Sequence, residues 1–280
     1  MKKEELRGKL NEWILEQKYQ EYAETTLGQY KANVLKFIDW LDSNEEITKD
    51  TMLRYKMYLG TIAGSTSSIN VWIVTINKFL KWLGLNDLTI KKIKMQSKQS
   101  VVDVLSIADY KRLLRFAKRE NKHQLYYIMK ILAMTGIRVS ELQYFTVENL
   151  NSNYITVFNK GKERTIIVRQ DLARELRKYS KEKGIKSGYI FPSKKVEGKM
   201  VNASTIWRQM KRIAGHAKVK KSKVHAHSFR HLFAQVFLET YSNNITELAD
   251  ILGHNSLDTT RLYTRTSDAQ KRTKLEKMAF

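Results

Sequence analysis

Apolar residues recur along this chain at three- and four-residue intervals in one segment after another, the pattern of a mainly α protein. Residues 5–17 mix charged and apolar positions at helical spacing. In 25–41, Leu27, Tyr30, Val34, Phe37, Ile38 and Leu41 share one face behind Thr25 and Thr26, read here as caps. Segments 48–62 and 65–85 repeat the pattern, the second starting at Ser65 and Thr66 and closing at Gly84. Four such helices suffice for a small bundle, so residues 1–88 are expected to form an N-terminal helical domain. The periodicity then stops. TIKKIKMQSKQSVVD (89–103) is basic and polar with no sustained apolar face, and an interdomain linker over 89–104 is expected.

The helical pattern resumes at 106–120, behind Ser106, and again at 123–142, where a buried helix should break at Gly136 and restart at Ser140. NYITVF (153–158) and RTIIVR (164–169) alternate β-branched residues on either side of KGKE, which predicts a β-hairpin. Helices follow to the end of the chain. Residues 105–280 are therefore read as a second domain, mostly helical with one small antiparallel sheet.

Composition adds a partner. The formal charge is +23, from 51 Lys and Arg against 28 Asp and Glu, more than solubility requires, and a polyanion is the natural inference. The excess is uneven: 16 basic and 12 acidic residues in 1–100 stand against 35 and 16 in 101–280. A chain with no cysteine holds no disulfide, zinc–cysteine site or thiol nucleophile. No apolar run approaches the ~18 residues of a membrane span, and the start is unlike a signal peptide, so a cytoplasmic protein is expected.

Four segments carry polar residues that a plain helical domain does not need. TGIRVSEL places Arg138 just past Gly136 and Glu141 three residues on, a spacing that also suits a surface ion pair. NKGKER places Lys160, Lys162 and Arg164 around Gly161 at a basic hairpin tip. HAHSFRHLFAQVFLE (225–239) puts His227 and Arg230 on one helical face, with Phe229, Leu232, Phe233, Val236 and Phe237 as apolar anchors. LGHNSLDTTRLYT (252–264) ends one helix at Gly253, leaves His254 at the break, offers Asn255 and Ser256 as caps, and should carry Tyr263 about two turns into the next helix. No metal-ligand spacing appears: there is no HExxH, and His225 and His227 would diverge on a helix.

Two arginines, a lysine, two histidines and a tyrosine in a basic protein fit phosphoryl transfer best. Guanidinium forks such as Arg138 and Arg230 bind the non-bridging oxygens of a phosphodiester while staying charged. A flexible lysine such as Lys160, its pKa lowered by nearby cations, can protonate the leaving 5′ oxygen. A phenol is a reluctant nucleophile because its reference pKa is ~10. Two arginines and a histidine beside Tyr263 would favour the phenolate or take its proton.

The order TGIRVSEL, lysine hairpin, HSFRH, then LGH nine residues before Tyr263, closely resembles the tyrosine recombinases, or phage integrase family, over almost the whole chain. The resemblance implies an N-terminal core-binding, SAM-like DNA-binding domain over 1–88 and a catalytic domain over 105–280 that together clamp DNA. It implies Arg138 and Arg230 as the catalytic arginines, Glu141 as a supporting acid and Lys160 as the hairpin lysine. His227 and His254 become the catalytic histidines, and Tyr263 the nucleophile that takes a 3′ phosphate. No cofactor or metal is implied. The tip NKGKER is one residue shorter than the family's GKGxKER and lacks its first glycine, so Lys162 rivals Lys160 as general acid. Phe229 and Ala226 also depart from the family's usual residues around its histidine–arginine box.

In architecture the chain looks like the short Xer-type and transposon-encoded members. The expected activity is site-specific cutting and rejoining of double-stranded DNA through a covalent phosphotyrosine and a Holliday junction, for integration, excision or resolution. The expected assembly is a homotetramer on synapsed DNA, with accessory proteins or a partner recombinase as further partners. Residues 265–280 would dock in trans through Leu275, Met278, Ala279 and Phe280. Two other readings stay open: a non-catalytic helix-turn-helix regulator built on AMTGIRVSEL, and a relaxing type IB topoisomerase.

Overall fold

The computed structural model describes the chain except residues 2, 43–44, 96–103, 160–161, 242–243, 255, 262, 264–275 and 277–280, and except the side chains at 159, 162 and 258. The chain divides into two compact units, Met1–Ser97 and Lys98–Phe280.

The first unit is four helices: α1 (Lys3–Tyr19), α2 (Glu24–Trp40), α3 (Lys49–Ile62) and α4 (Thr66–Trp82). They close over Leu6, Trp13, Phe37, Tyr55, Ile73 and Phe79. Thr48 and Thr51 form a reciprocal capping box on α3, and Ser65 accepts from the Ser68 amide on α4, each cap contributing about 1 kcal/mol. The threonine caps expected on α2 are not there. Ala23 stands at that position without a side-chain bond, because the helix already begins at Glu24 and draws Thr25 and Thr26 into its first turn. Beyond the 3-10 turn Asn86–Leu88, the chain runs along α4. Asn77 bonds both the amide and the carbonyl of Ile90, and Asn70 does the same for Ile93.

The second unit begins at α5 (Ile107–Arg119), capped by a Ser106–Asp109 box, and α6 (His123–Thr135). Gly136 ends α6 with φ 63°, a left-handed turn that only glycine adopts without strain. The restart expected at Ser140 is a short 3-10 helix, Val139–Tyr144, with the Glu141 carboxylate closing its first turn. The antiparallel hairpin follows, β1 (Tyr154–Asn159) and β2 (Lys162–Ile167). Pairing runs from Tyr154–Ile167 to Asn159–Lys162, so Lys162 and Glu163, expected in the turn, belong to the ladder.

After α7 (Gln170–Glu182) and α8 (Ala203–His216) comes α9 (Ala226–Thr240), which packs along α6. Phe229 and Leu232 are buried as expected, but Val236 is an exposed residue of α9, on the side turned from the core. The chain closes with α10 (Ile245–Leu252), stopped by Gly253 at φ 64°, and α11 (Leu257–Arg261). Tyr263 was expected two turns inside that last helix. It lies instead in a turn just past it, its amide bonded three residues back to the Thr260 carbonyl, a tighter turn than an α-helix makes. Among the described residues no helix is long and apolar enough to cross a membrane.

Candidate active site

Arg230 is the centre of the arrangement. Its residue is 1% exposed, as buried as Glu141 in the same unit, and among the described residues no carboxylate is bonded to it. A bare guanidinium in that environment would be prohibitive. Its compensation comes from helix ends. Nη1 donates to the Gly136 carbonyl at 2.7 Å, just beyond α6, and Nη2 donates to the Leu252 carbonyl at 2.8 Å, at the end of α10. Carbonyls at helix C-termini are unsatisfied acceptors at the negative pole of the dipole. Two helix ends that the sequence marks by glycine thus meet at one side chain.

The same guanidinium reaches two further groups. Nη2 lies 2.7 Å from His254 Nε2, and Nε donates to the Tyr263 hydroxyl at 3.4 Å. An arginine only donates, so His254 Nε2 must accept, which leaves the proton on Nδ1 to be donated to Thr260 Oγ1 at 2.8 Å. His254 is therefore a neutral imidazole of fixed tautomer. Burial first, then Arg230 and Arg138, push its pKa down to about 4.

Tyr263 is 5% exposed and sits in a nest of histidines. The His254 ring stacks beside it at 5.8 Å, His231 meets it edge-on at 4.6 Å, and His227 lies 6.5 Å away. His231 is likewise pushed down to about 4, by burial and then by His227. Burial, with Arg230 next, holds His227 below the ordinary histidine range. These rings are bases rather than cations near neutral pH, and a neutral imidazole beside a phenol can accept its proton.

Arg138 faces outward, its side chain 39% exposed, so it is open to a ligand. Glu141 is 1% exposed and is not the surface ion-pair partner that its spacing permits. It accepts from the Arg138 backbone amide at 2.7 Å and from its Nη1 at 3.3 Å. Arg164 also reaches it, donating from Nη2 at 2.7 Å.

Arg230, His254, Tyr263 and His227 are thus brought together, with Arg138 and Glu141 alongside. Lys160 lies outside the described residues, as does the tail surface at Leu275, Met278, Ala279 and Phe280; Lys162 is described only in its backbone. Two residues carry no role in the sequence reading, and a third is placed differently. Arg164, expected at the basic tip, is two residues from Ile166 and four from Val168, which the period of a strand puts on the buried face. His231 was visible as the third histidine of its segment. Thr260 carried no signal beyond its place between His254 and Tyr263.

The phage integrase family model matches residues 103–270. Tyrosine recombinase XerA of Pyrococcus furiosus is 29% identical over 248 residues, covering 87% of this chain and 84% of its own. A crystal structure of XerA recombinase matches with 26% identity and a TM-score of 0.54 over 98% of this chain and 99% of that one. A lambda integrase tetramer bound to a Holliday junction matches with a TM-score of 0.73 at 16% identity, over 92% of this chain and 76% of that one.

Proposed function

The chain belongs to the phage integrase family of tyrosine recombinases, and on that premise we propose that it is a site-specific recombinase that cuts and rejoins DNA through Tyr263. The observation that carries the reading is the Arg230 guanidinium with its Nε at the Tyr263 hydroxyl and its Nη2 at His254. A scissile phosphate entering here meets Arg230 and the open Arg138, whose forks neutralise the charge on its non-bridging oxygens.

The phenolic oxygen of Tyr263 then attacks phosphorus. The new P–O bond forms as the bond to the 5′ oxygen breaks, and the phenol's proton passes to a neutral histidine, His227 being the proposed acceptor. The departing 5′ oxygen takes its proton from the hairpin lysine, Lys160 in this proposal and Lys162 as the rival. A phosphotyrosine retains the bond energy that hydrolysis would discard, so a 5′ hydroxyl can reverse the step on a new strand without a cofactor. Exchange of two strand pairs through a Holliday junction in a homotetramer completes the proposed reaction, with residues 265–280 as the proposed link between protomers.

A helix-turn-helix at AMTGIRVSEL finds less support. The segment after Gly136 is a six-residue 3-10 helix, too short to lie in a major groove as a recognition helix.

The test uses nicked suicide duplexes tiling the DNA that flanks the chain's own gene. The unaltered chain is expected to form a covalent adduct stable to denaturation, and Tyr263→Phe to form none. An adduct of full yield from Tyr263→Phe would overturn the assignment of the nucleophile.

A further inference from the structure

The described part of the hairpin holds a second, half-buried guanidinium that the proposed reaction does not use. Arg164 on β2 pairs in register with Val157 on β1 and shares the core-facing side of the sheet with Ile166 and Val168. Its side chain is 14% exposed. Its two terminal nitrogens go to different parts of the second unit. Nη2 donates to the Glu141 carboxylate at 2.7 Å, and Nη1 donates to the Ile251 carbonyl at 2.7 Å, in the last turn of α10. Its Nε is buried and has no hydrogen-bond partner among the described residues. The aliphatic stem runs so close over Gly253 that a Cβ built there would collide with Arg164 Cδ, and Gly253 has the positive φ that glycine adopts freely.

Each contact leads to a residue placed above at the phosphate. The Glu141 oxygen that receives Arg164 also receives the Arg138 backbone amide, and its other oxygen receives the Arg138 guanidinium. Ile251 is three residues before His254 and one before Leu252, whose carbonyl holds Arg230. A planar fork with two separated donors can hold a carboxylate and a carbonyl at once, whereas an ammonium is a single point of charge. We infer that Arg164 is a positioning residue for strand cleavage, which holds the Glu141 carboxylate against Arg138 and fixes the end of α10 that carries His254.

This rests on the recombinase reading of the site. Arg164 is shielded from solvent, so its loss should leave DNA affinity intact and slow the chemistry, the signature of a group that acts by holding others.

The decisive variant is Arg164→Lys, which keeps the charge and removes the fork, assayed on whichever nicked suicide duplex traps the unaltered chain. Single-turnover cleavage at saturating protein is expected to fall about 10- to 100-fold, with the Kd for that duplex within about 3-fold of the unaltered value. Adding Arg164→Lys to Glu141→Gln is expected to lower the rate less than about 3-fold further, because the two residues act as one unit. An unimpaired rate, a loss that lies wholly in Kd, or a full multiplicative loss in the double variant would each overturn the inference. Arg164→Met is read in the same way should Arg164→Lys fail to fold by circular dichroism. If the unaltered chain forms no Tyr263-dependent adduct, the recombinase reading falls and takes this inference with it. If it forms a normal adduct and Arg164→Lys does too, only this inference falls.

Discussion

Arg230 does two jobs with one guanidinium, and its replacements should separate them. Lysine keeps a charge but cannot span the Gly136 and Leu252 carbonyls while still facing Tyr263. Arg230→Lys is therefore expected to lower single-turnover cleavage about 100- to 1,000-fold and to lower the melting temperature as well, since two helix-end carbonyls lose a fixed donor. The histidines give a pH signature. His231 and His254 titrate at about 4 in the folded chain against an ordinary value near 6.5, so between those values the unfolded chain binds more protons. Stability should then rise as the pH is raised from about 4 to 6.5 and level off above, as thermal melting across that range would record. His227, Arg230 and His254 could be placed from motif order, because each sits at a helix position or break that the sequence announces, whereas Tyr263 falls in a turn where a helix was expected. Arg164 is named at the tip by its charge, but its inward side is legible only from the two-residue period of the strand.

At the scale of elements, the helix breaks were readable and the lengths beyond them were not. Gly136 and Gly253 punctuate the sequence as they do the structure, but the turn that holds Tyr263 and the bond of Thr260 to His254 are encoded by no local pattern. The α2 caps failed for a similar reason: a threonine signal spans several positions, and Ala23 shows which was used. Gly136 also marks the close approach of α6 to its neighbours. A Cβ there would lie 2.5 Å from Phe233 on α9 and 2.7 Å from Leu252 on α10, and the left-handed φ adds its own penalty. Gly136→Ala is expected to destabilise the fold by roughly 2–4 kcal/mol, measurable by chemical denaturation. At the hairpin, a substrate with sulfur in place of the bridging 5′ oxygen distinguishes the two lysines, since a thiolate leaves without a proton. Cleavage by Lys160→Ala should be restored on that substrate. Restoration in Lys162→Ala alone would move the general acid to Lys162.

The whole molecule is a strong cation, with most of its +23 charge in residues 101–280. Its affinity for duplex DNA is expected to fall by about 1,000-fold or more between 50 and 200 mM salt, read as the slope of log K against log salt. A flat slope would mean that the charge faces something other than a phosphate backbone. The bonds around Arg230 also set a schedule. Its guanidinium draws on Gly136, 94 residues before it, and on Leu252, 22 residues after it, and Tyr263 comes later still. On a ribosome these parts emerge in turn, and the first unit can fold long before the last of them is made. On the proposed function, a nascent chain that already carries most of its positive charge would bind a nucleic acid before it could break one. On that proposal, a product terminated before Tyr263 is expected to bind without cutting, occupying sites that complete copies need.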